Sequence, residues 1–172
     1  MIERIIMSQA MFNRILLIGA PGVGKTTLAK EFGKLFPQLP VIHLDSIHYL
    51  PGDDFELRDT QERDMMINRE ADKDQWIIDG TFIDTLDKRL QRADLVIFLD
   101  YPTHVAMRGI LLRRLFKGKH KCPKLTKSFV NYVWNYNKEF RPQIMEKLSK
   151  VDDDKVVIFK SQKDLDKAMH TF

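Results

Sequence analysis

Short apolar runs alternate with longer amphipathic stretches along this chain of 172 residues. The runs lie at about 13–18, 41–44, 76–78, 95–99 and 155–159, and they lack the polar alternation of half-exposed strands. Apolar strands of that kind are typical of a parallel sheet that is covered by helices on both faces. The pattern therefore predicts one α/β domain over residues 1–172, built on a five-stranded parallel sheet with right-handed crossovers.

The stretches between the runs predict the helices. We expect helices at about 25–36, 56–71, 83–92, 102–116 and 162–172, and a long one that ends near residue 148. In the second helix, the residues expected to be buried are Leu57, Met65, Met66 and Ile67. In the long helix, three- and four-residue steps predict that most of Phe129, Tyr132, Val133, Tyr136 and Phe140 belong to the core.

The first apolar run leads into a glycine-rich loop and then a helix. Residues 19–26 fit the pattern G-x-x-x-x-G-K-[ST] in full. Glycines accept backbone angles that other residues avoid, so successive N–H groups can surround one phosphate, and the helix start adds its positive dipole end. The predicted nucleotide-binding residues are Gly19, Ala20, Pro21, Gly22, Val23, Gly24, Lys25, Thr26 and Thr27. A glycine turn that binds nothing is the alternative.

Polar side chains at the end of the loop, and aspartates after three of the later apolar runs, are the candidates for catalysis and metal binding. The Lys25 ammonium is expected to reach the β- and γ-phosphates of ATP, and the Thr26 hydroxyl is expected to bind Mg²⁺. Asp79 is predicted to organise the metal with Thr26, although it could instead form an ordinary Asp-Gly turn. Asp45 could accept the proton of a substrate hydroxyl or cap the next segment. Asp100 is expected to cap a helix.

Positive charge is concentrated in one part of the chain. The net charge is only +4, yet residues 101–138 contain nine Lys or Arg and no Asp or Glu. Such a segment favours an anionic partner, either the phosphates of a small substrate or a nucleic-acid backbone. Arg108, Arg113 and Arg114 lie on a predicted helix, from which they could close over the γ-phosphate. A solvated basic face is the alternative.

Other features exclude several classes of protein. Cys122 is the single cysteine, which excludes an internal disulfide and a four-cysteine zinc site and indicates a cytoplasmic location. No apolar run reaches membrane-spanning length, and residues 1–10 are not typical of a secretion signal. The five histidines show no metal-site spacing, and residues 137–140 do not complete the guanine-reading pattern N-K-x-D.

Further motifs, taken together with the loop, resemble a known group of proteins. They lie at residues 44–48, 76–80, 85–94, 98–102, 134–136 and 141–142. Over about residues 12–170 the chain resembles the adenylate-kinase-like phosphate-loop (P-loop) kinases. It is most similar to the bacterial DNA-topology-modulation proteins, a family of kinase-related ATPases.

The resemblance implies a three-layer α/β/α P-loop NTPase fold with strand order 2-3-1-4-5. It also implies an acceptor-binding segment at about 45–73 and a lid at about 113–127. By the same resemblance, Asp79 matches the metal-organising aspartate, and Arg108 with Arg113 or Arg114 matches the lid arginines. Arg89 is implied to face the acceptor.

The chain departs from the adenylate-kinase pattern at two places. Where those kinases have Asp-Gly-Phe-Pro-Arg, residues 79–83 contain no arginine, and Thr103 stands where relatives often have a basic residue. Both departures argue against a nucleoside monophosphate as acceptor.

Two functions from different classes follow from these features. The first is an ATP- and Mg²⁺-dependent kinase for a small-molecule or nucleotide acceptor, with Lys25, Asp45, Arg108, Arg113 and Arg114 as catalytic residues. The alternative is an ATP-binding regulatory protein that contacts DNA through its basic segment. The sequence leaves the acceptor and the oligomeric state open.

Overall fold

The predicted apolar runs form one parallel sheet in a computed structural model, which describes residues 12–52, 55–117 and 125–169. The strands are β1 (Arg14–Gly19), β2 (Val41–His43), β3 (Trp76–Asp79), β4 (Leu95–Leu99) and β5 (Val156–Phe159). Their order is β2-β3-β1-β4-β5, and each pair of neighbours is parallel. The predicted fold class and strand order are confirmed.

Helices follow the strands along the chain. They are α1 (Lys25–Leu35), α2 (Leu44–His48), α3 (Thr60–Ala71), α4 (Leu86–Arg92), α5 (Thr103–Lys117), α6 (Lys127–Glu139), α7 (Arg141–Leu148) and α8 (Gln162–Met169). Short 3₁₀ turns occur at Ile83–Thr85 and Asp153–Lys155. Within the described ranges, no helix combines the length and apolar character needed to cross a membrane.

The central strands place the ends of several segments at one edge of the sheet. The four consecutive residues 15–18 of β1 are fully buried, and because successive side chains point to opposite faces, both faces of the sheet are covered. In the sheet register, Leu17 of β1 pairs with Asp79 of β3, and Gly19 pairs with Leu99 of β4. The glycine-rich loop and the ends of β3 and β4 therefore meet at the carboxyl edge, where ligands bind in open α/β sheets.

The region after β2 differs from the prediction. β2 ends at His43, so Asp45 does not close a strand but lies in the short helix α2. Helix α3 begins at Thr60 and not near residue 56, because the Asp59 carboxylate caps it by accepting hydrogen bonds from two N–H groups of the first turn. The helix buries Ile67 and Ala71. The expected burial of Leu57, Met65 and Met66 is wrong, since all three side chains are exposed to solvent.

The long helix predicted to end near residue 148 is two helices. It breaks at Phe140, and Pro142 occupies the first turn of α7, where its missing N–H costs no hydrogen bond. The Arg141 guanidinium donates to both carboxylate oxygens of Asp100, with Nε–Oδ1 and Nη2–Oδ2 distances of 2.7 and 2.8 Å. The expected helix-capping role of Asp100 is therefore wrong, because its carboxylate binds an arginine instead.

Candidate active site

The glycine-rich loop has the backbone geometry of a phosphate cradle. Gly22 and Gly24 have φ angles of 86° and 102°, in the left-handed region that favours glycine. Gly24 caps helix α1, whose first turn has no acidic residue and no side-chain cap. The N–H groups of Lys25 and Thr26, which precede the first helical hydrogen bond from Thr27 to Gly24, can thus bind a phosphate. Of the predicted binding residues, the cavity beside the loop is lined by Gly19, Pro21, Gly22, Lys25 and Thr26, whereas Ala20 and Val23 are buried and Thr27 is exposed.

Lys25 lies within this loop. Its ammonium donates to the carbonyl oxygens of Gly19 and Ala20, at Nζ–O distances of 2.9 and 2.8 Å. Burial lowers the pKa of Lys25 to about 8, against the opposing attraction of the Asp45 and Asp79 carboxylates. The Lys25 ammonium therefore lies at the loop and near two carboxylates, and phosphate oxygens bound there would raise its pKa and favour its charged form.

The two residues predicted to organise a metal are in contact. The Thr26 hydroxyl donates to Asp79 Oδ2 at 2.7 Å, and Asp79 is only 4% exposed. A hydroxyl and a carboxylate are the hard oxygen ligands that Mg²⁺ prefers, so the pair fits this metal. His43, which the sequence did not single out, lies with Nδ1 2.6 Å from Asp79 Oδ1, and this hydrogen bond raises the pKa of His43.

Thr81 connects the loop to a distant helix. Its hydroxyl accepts a hydrogen bond from the Gly19 N–H (3.1 Å) and donates to the Gly19 carbonyl oxygen (2.9 Å). The Tyr136 hydroxyl on α6 donates to the same Thr81 oxygen at 3.1 Å. A residue at which the chain departs from the adenylate-kinase pattern thus orders the first residue of the phosphate loop.

Helix α5 packs directly on the phosphate loop. A Cβ atom at Gly109 would overlap the Gly22 carbonyl oxygen, and a Cβ atom at Gly22 would overlap the Ala106 carbonyl oxygen. Only glycine allows this approach of two backbones. In the sequence, this contact corresponds to Gly109, an isolated glycine within a helical stretch.

The predicted lid arginines occupy different positions on α5. Arg113 and Arg114 line the cavity, and the charge of Arg113 contributes to the lowered pKa of Lys25. Arg108 is exposed and does not line the cavity. Residues 118–124 of the predicted lid lie outside the described residues. The catalytic roles of the three arginines stay predictions.

The cavity of about 390 Å³ extends from the phosphate loop into an aromatic region. We define the aromatic compartment as the rings that line it: His48, Tyr49, Phe82, Phe129, Tyr132, Tyr136 and Phe140. Four of these residues belong to the stripe of α6 that the sequence assigned mostly to the core. Val133 and Tyr136 are buried in the core, Phe129 and Phe140 pack against it, and only Tyr132 of the five is exposed, at 37%, so most of the stripe packs as predicted. Three- and four-residue spacing describes a cavity wall as well as a core face.

Asp45 lies at the border between the loop and the aromatic compartment. It lines the cavity and is exposed, and no hydrogen bond or ion pair to its carboxylate occurs among the described residues. Burial raises the pKa of both Tyr49 and Tyr132, and the nearby charge of Asp45 adds to both shifts. The carboxylate is therefore available for a ligand and close to two phenol rings.

Arg89 does not face the acceptor region, so the role implied by the resemblance is wrong. Its side chain is fully buried and donates to the backbone carbonyl oxygens of Gly80, Thr81, Phe82 and Thr85. Burial lowers the pKa of Arg89, and these hydrogen bonds offset the free-energy cost of removing the cation from water. The contacts hold Phe82 in a left-handed conformation, with φ of 33°, from which its ring reaches the cavity.

Arg63 of α3, which no sequence motif marks, also lines the cavity. Its guanidinium binds Asp64 with an Nη2–Oδ1 distance of 2.7 Å and lies 3.9 Å from Asp84 Oδ2. The central carbon of the guanidinium is 5.3 Å from the centroid of the Phe82 ring, a cation–π distance. No periodic signal distinguishes one arginine on a polar helix, so only the fold could reveal it.

Comparisons with known proteins agree with this architecture. No protein-family model matches the sequence, and no curated protein matches it either. Among solved structures, the chain is similar to shikimate kinase from Acinetobacter baumannii in complex with shikimate, with a TM-score of 0.65, 16% identity, and coverage of 96% of this chain and 94% of that one. It is also similar to shikimate kinase from Bacteroides thetaiotaomicron, with a TM-score of 0.56, 21% identity, and coverage of 93% and 95%. The chain therefore has the fold of these P-loop kinases.

Proposed function

We propose that the protein is an ATP- and Mg²⁺-dependent kinase that transfers the γ-phosphoryl group of ATP to a small molecule. The observation that supports this most strongly is one continuous cavity, which is lined both by residues suited to phosphate and by a carboxylate suited to a hydroxyl group. Lys25 and Thr26 of the phosphate loop line it, and so does the carboxylate of Asp45, which has no hydrogen-bond or ion-pair partner among the described residues. A phosphoryl donor and a hydroxyl acceptor could therefore meet in the same cavity, as phosphoryl transfer requires.

Each loop residue has a defined role in this proposal. The loop N–H groups and the Lys25 ammonium bind the phosphates, and Thr26 and Asp79 hold Mg²⁺, which neutralises phosphate charge when bound. Arg113 and Arg114 supply positive charge from helix α5. Asp45 holds or deprotonates the acceptor hydroxyl.

The structural neighbours support the kinase class and leave the acceptor open. Both are shikimate kinases, and one is bound to shikimate. At these identities the shared property is the fold, so their acceptor does not transfer to this chain. Membership of the DNA-topology-modulation family and a cytoplasmic location stay predictions from the sequence.

The described residues contain no feature that favours the DNA-binding alternative. Two of the basic residues, Arg113 and Arg114, line the cavity, and residues 118–124 lie outside the described ranges. A DNA-binding surface would show affinity for duplex DNA that falls steeply with added salt.

The test of the kinase proposal is ATP turnover by the purified protein with Mg²⁺, with and without a broad acceptor panel. The panel contains nucleosides, nucleotides, hydroxy acids and sugars, and both ADP and the phosphorylated product are measured. We expect one acceptor class to stimulate ADP formation with a matching amount of product. ADP formation that no acceptor stimulates would contradict the kinase proposal.

The control variants come from the same helix. Lys25→Ala removes the cation in the loop, and we expect it to abolish acceptor-stimulated turnover. Lys34→Ala removes an exposed lysine in the last turn of α1, and it should leave turnover unchanged.

A further inference from the structure

The rings of the aromatic compartment form two groups around the cavity. On α6 and at its C-terminal end, the Tyr132 ring lies 5.8 Å from Tyr136, 5.1 Å from Phe140 and 6.4 Å from Phe129, measured between centroids. The second group contains His48, whose ring is 5.2 Å from Phe82 and 4.8 Å from Tyr49. Aromatic faces bind flat rings by offset-stacked or edge-to-face contacts. A cavity lined by both groups favours a ligand with a flat ring over a flexible or strongly polar one.

The described arginine side chains near the aromatic compartment already have interaction partners. The Arg63 guanidinium binds Asp64 and lies over Phe82. Arg89 does not line the cavity, because its buried side chain donates to backbone carbonyl oxygens. Arg113 and Arg114 of α5 line the same cavity, and Arg113 lies near enough to Lys25 for its charge to lower the pKa of that lysine.

Among the described residues, three carboxylates lie around Arg63 and the aromatic compartment. Asp45 and Asp84 both line the cavity, and Asp64 accompanies Arg63. A phosphate or carboxylate on the acceptor would meet these carboxylates and would have to compete for Arg63, at a cost in desolvation and repulsion. The charge distribution therefore selects against an anionic acceptor.

We propose, building on the kinase function above, that the phosphoryl acceptor is an uncharged alcohol attached to a flat ring. The ring lies in the aromatic compartment, and the hydroxyl lies at Asp45. Nucleosides and hydroxymethyl-substituted heteroaromatic compounds have this chemistry. Nucleoside monophosphates and hydroxy acids do not, since each adds negative charge.

The transfer balances with the groups present and ATP as donor. The acceptor oxygen forms a bond to the γ-phosphorus, and the bond from that phosphorus to the β–γ bridging oxygen breaks. ADP leaves with the electron pair of the broken bond. The hydroxyl proton passes to the Asp45 carboxylate, which has no other partner among the described residues, and from there to water.

The test compares acceptors in matched pairs that share a ring and differ in charge. Adenosine with AMP, cytidine with CMP, and pyridoxine with pyridoxine 5′-phosphate are each assayed for ADP formation, and shikimate serves as an anionic alcohol without an aromatic ring. We expect at least one uncharged member to exceed its anionic partner, and shikimate, by about tenfold or more in kcat/KM.

A variant pair tests the compartment itself. Tyr132→Ala removes a partly exposed ring, so folding should persist, and we expect the KM for the uncharged acceptor to rise about tenfold while the KM for ATP stays constant. Tyr132→Phe keeps the ring and should restore the acceptor KM. Trp134→Ala is the matched control, because Trp134 is 64% exposed on the same helix and does not line the cavity.

Each outcome separates the acceptor class from the kinase function. Preference for the anionic member of a pair, or for shikimate, would overturn the acceptor class and leave the kinase proposal in place. An unchanged acceptor KM in Tyr132→Ala would also overturn it. Absence of Lys25-dependent turnover with every acceptor would contradict the kinase proposal, and the acceptor class with it.

Discussion

The two ends of the cavity are built in opposite ways. At the phosphate end, the loop and the helix start come from one continuous stretch, residues 19–27, whose backbone angles and N–H groups form the phosphate cradle, and Asp79 joins them from β3. The aromatic compartment is assembled from residues 48–49, 82 and 129–140, which are far apart in the sequence. The phosphate cradle is therefore mainly a local property of the chain, whereas the aromatic compartment is a property of the fold.

Two histidines show the same contrast in their electrostatics. At the phosphate end, the hydrogen bond to Asp79 raises the pKa of His43. In the aromatic compartment, burial and then the positive charge of Arg63 lower the pKa of His48, although Asp45 opposes them. The surroundings therefore favour the charged imidazole at the phosphate end and disfavour it in the aromatic compartment.

The largest expected effect removes the metal-organising carboxylate at the phosphate end. Asp79→Asn keeps the size of the side chain but removes its charge beside Thr26. We expect the Mg²⁺ concentration for half-maximal turnover to rise about 10- to 100-fold. A magnesium titration of ATP turnover measures this. Asp72→Asn, at an exposed aspartate paired with Lys88, is the control, and an equal response in both variants would rule out a metal role for Asp79.

The second prediction separates the phosphate loop from helix α5. Gly109→Ala places a Cβ atom against the Gly22 carbonyl oxygen, and overpacking of this kind costs about 1–3 kcal/mol. Because the strain falls on the loop, we expect the Kd for ATP to rise about tenfold in a fluorescent-nucleotide competition assay.

Gly33→Ala provides the comparison for that variant. Its Cβ atom would meet the side chain of Val41 rather than backbone, so the structure can adjust. It should lower thermal stability with little effect on ATP affinity. Wild-type ATP affinity in Gly109→Ala would show that the α5 contact does not shape the loop.

The third prediction tests the link between the two ends. Thr81→Val leaves the Gly19 N–H without its acceptor. We therefore expect the free energy of unfolding to fall by about 1–3 kcal/mol and ATP binding to weaken. Tyr136→Phe removes only the hydroxyl that donates to Thr81, at a cost of about 1 kcal/mol. Denaturant unfolding gives both values. A larger loss in Tyr136→Phe than in Thr81→Val would mean that the link does not depend on Thr81.

The smallest expected effect concerns pH. His48 has a folded-state pKa below its ordinary value of 6.5, so the unfolded chain binds more protons, and this residue reduces stability as pH falls below 6.5. His43 has a raised pKa, so its contribution is complete below pH 6.5 and is lost as pH rises through the folded-state pKa. The free energy of unfolding is measured from pH 5 to 8 without Mg²⁺. His48→Gln should reduce the fall in this free energy on the acid side, and His43→Gln should reduce its fall on the alkaline side. Identical changes in both variants would contradict the opposite shifts.

The sequence predicted the fold and the phosphate end because their signals are local. Unbroken apolar runs identify buried parallel strands, and the glycine spacing with Lys25 and Thr26 fixes a loop whatever surrounds it. Asp79 could be placed beside Thr26 because the carboxyl ends of adjacent parallel strands meet.

The aromatic compartment could not be predicted in the same way. The spacing of Tyr132 and Phe140 is that of a core face, and nothing in the sequence shows that a cavity lies beside them. Arg89 matched a family motif, but its environment, a loop that needs donors for its carbonyl groups, exists only in the fold. Arg63 had no motif at all.

The most direct measurement of the central claim is the effect of Asp45→Asn on acceptor-stimulated turnover and on ATP affinity in the same preparation. The variant keeps the shape of the side chain at the border of the two ends and removes its ability to accept a proton. We predict a loss of about 100-fold or more in acceptor-stimulated turnover with an unchanged Kd for ATP. Wild-type stimulation by the acceptor in this variant would contradict the claim that Asp45 joins donor and acceptor in one active site.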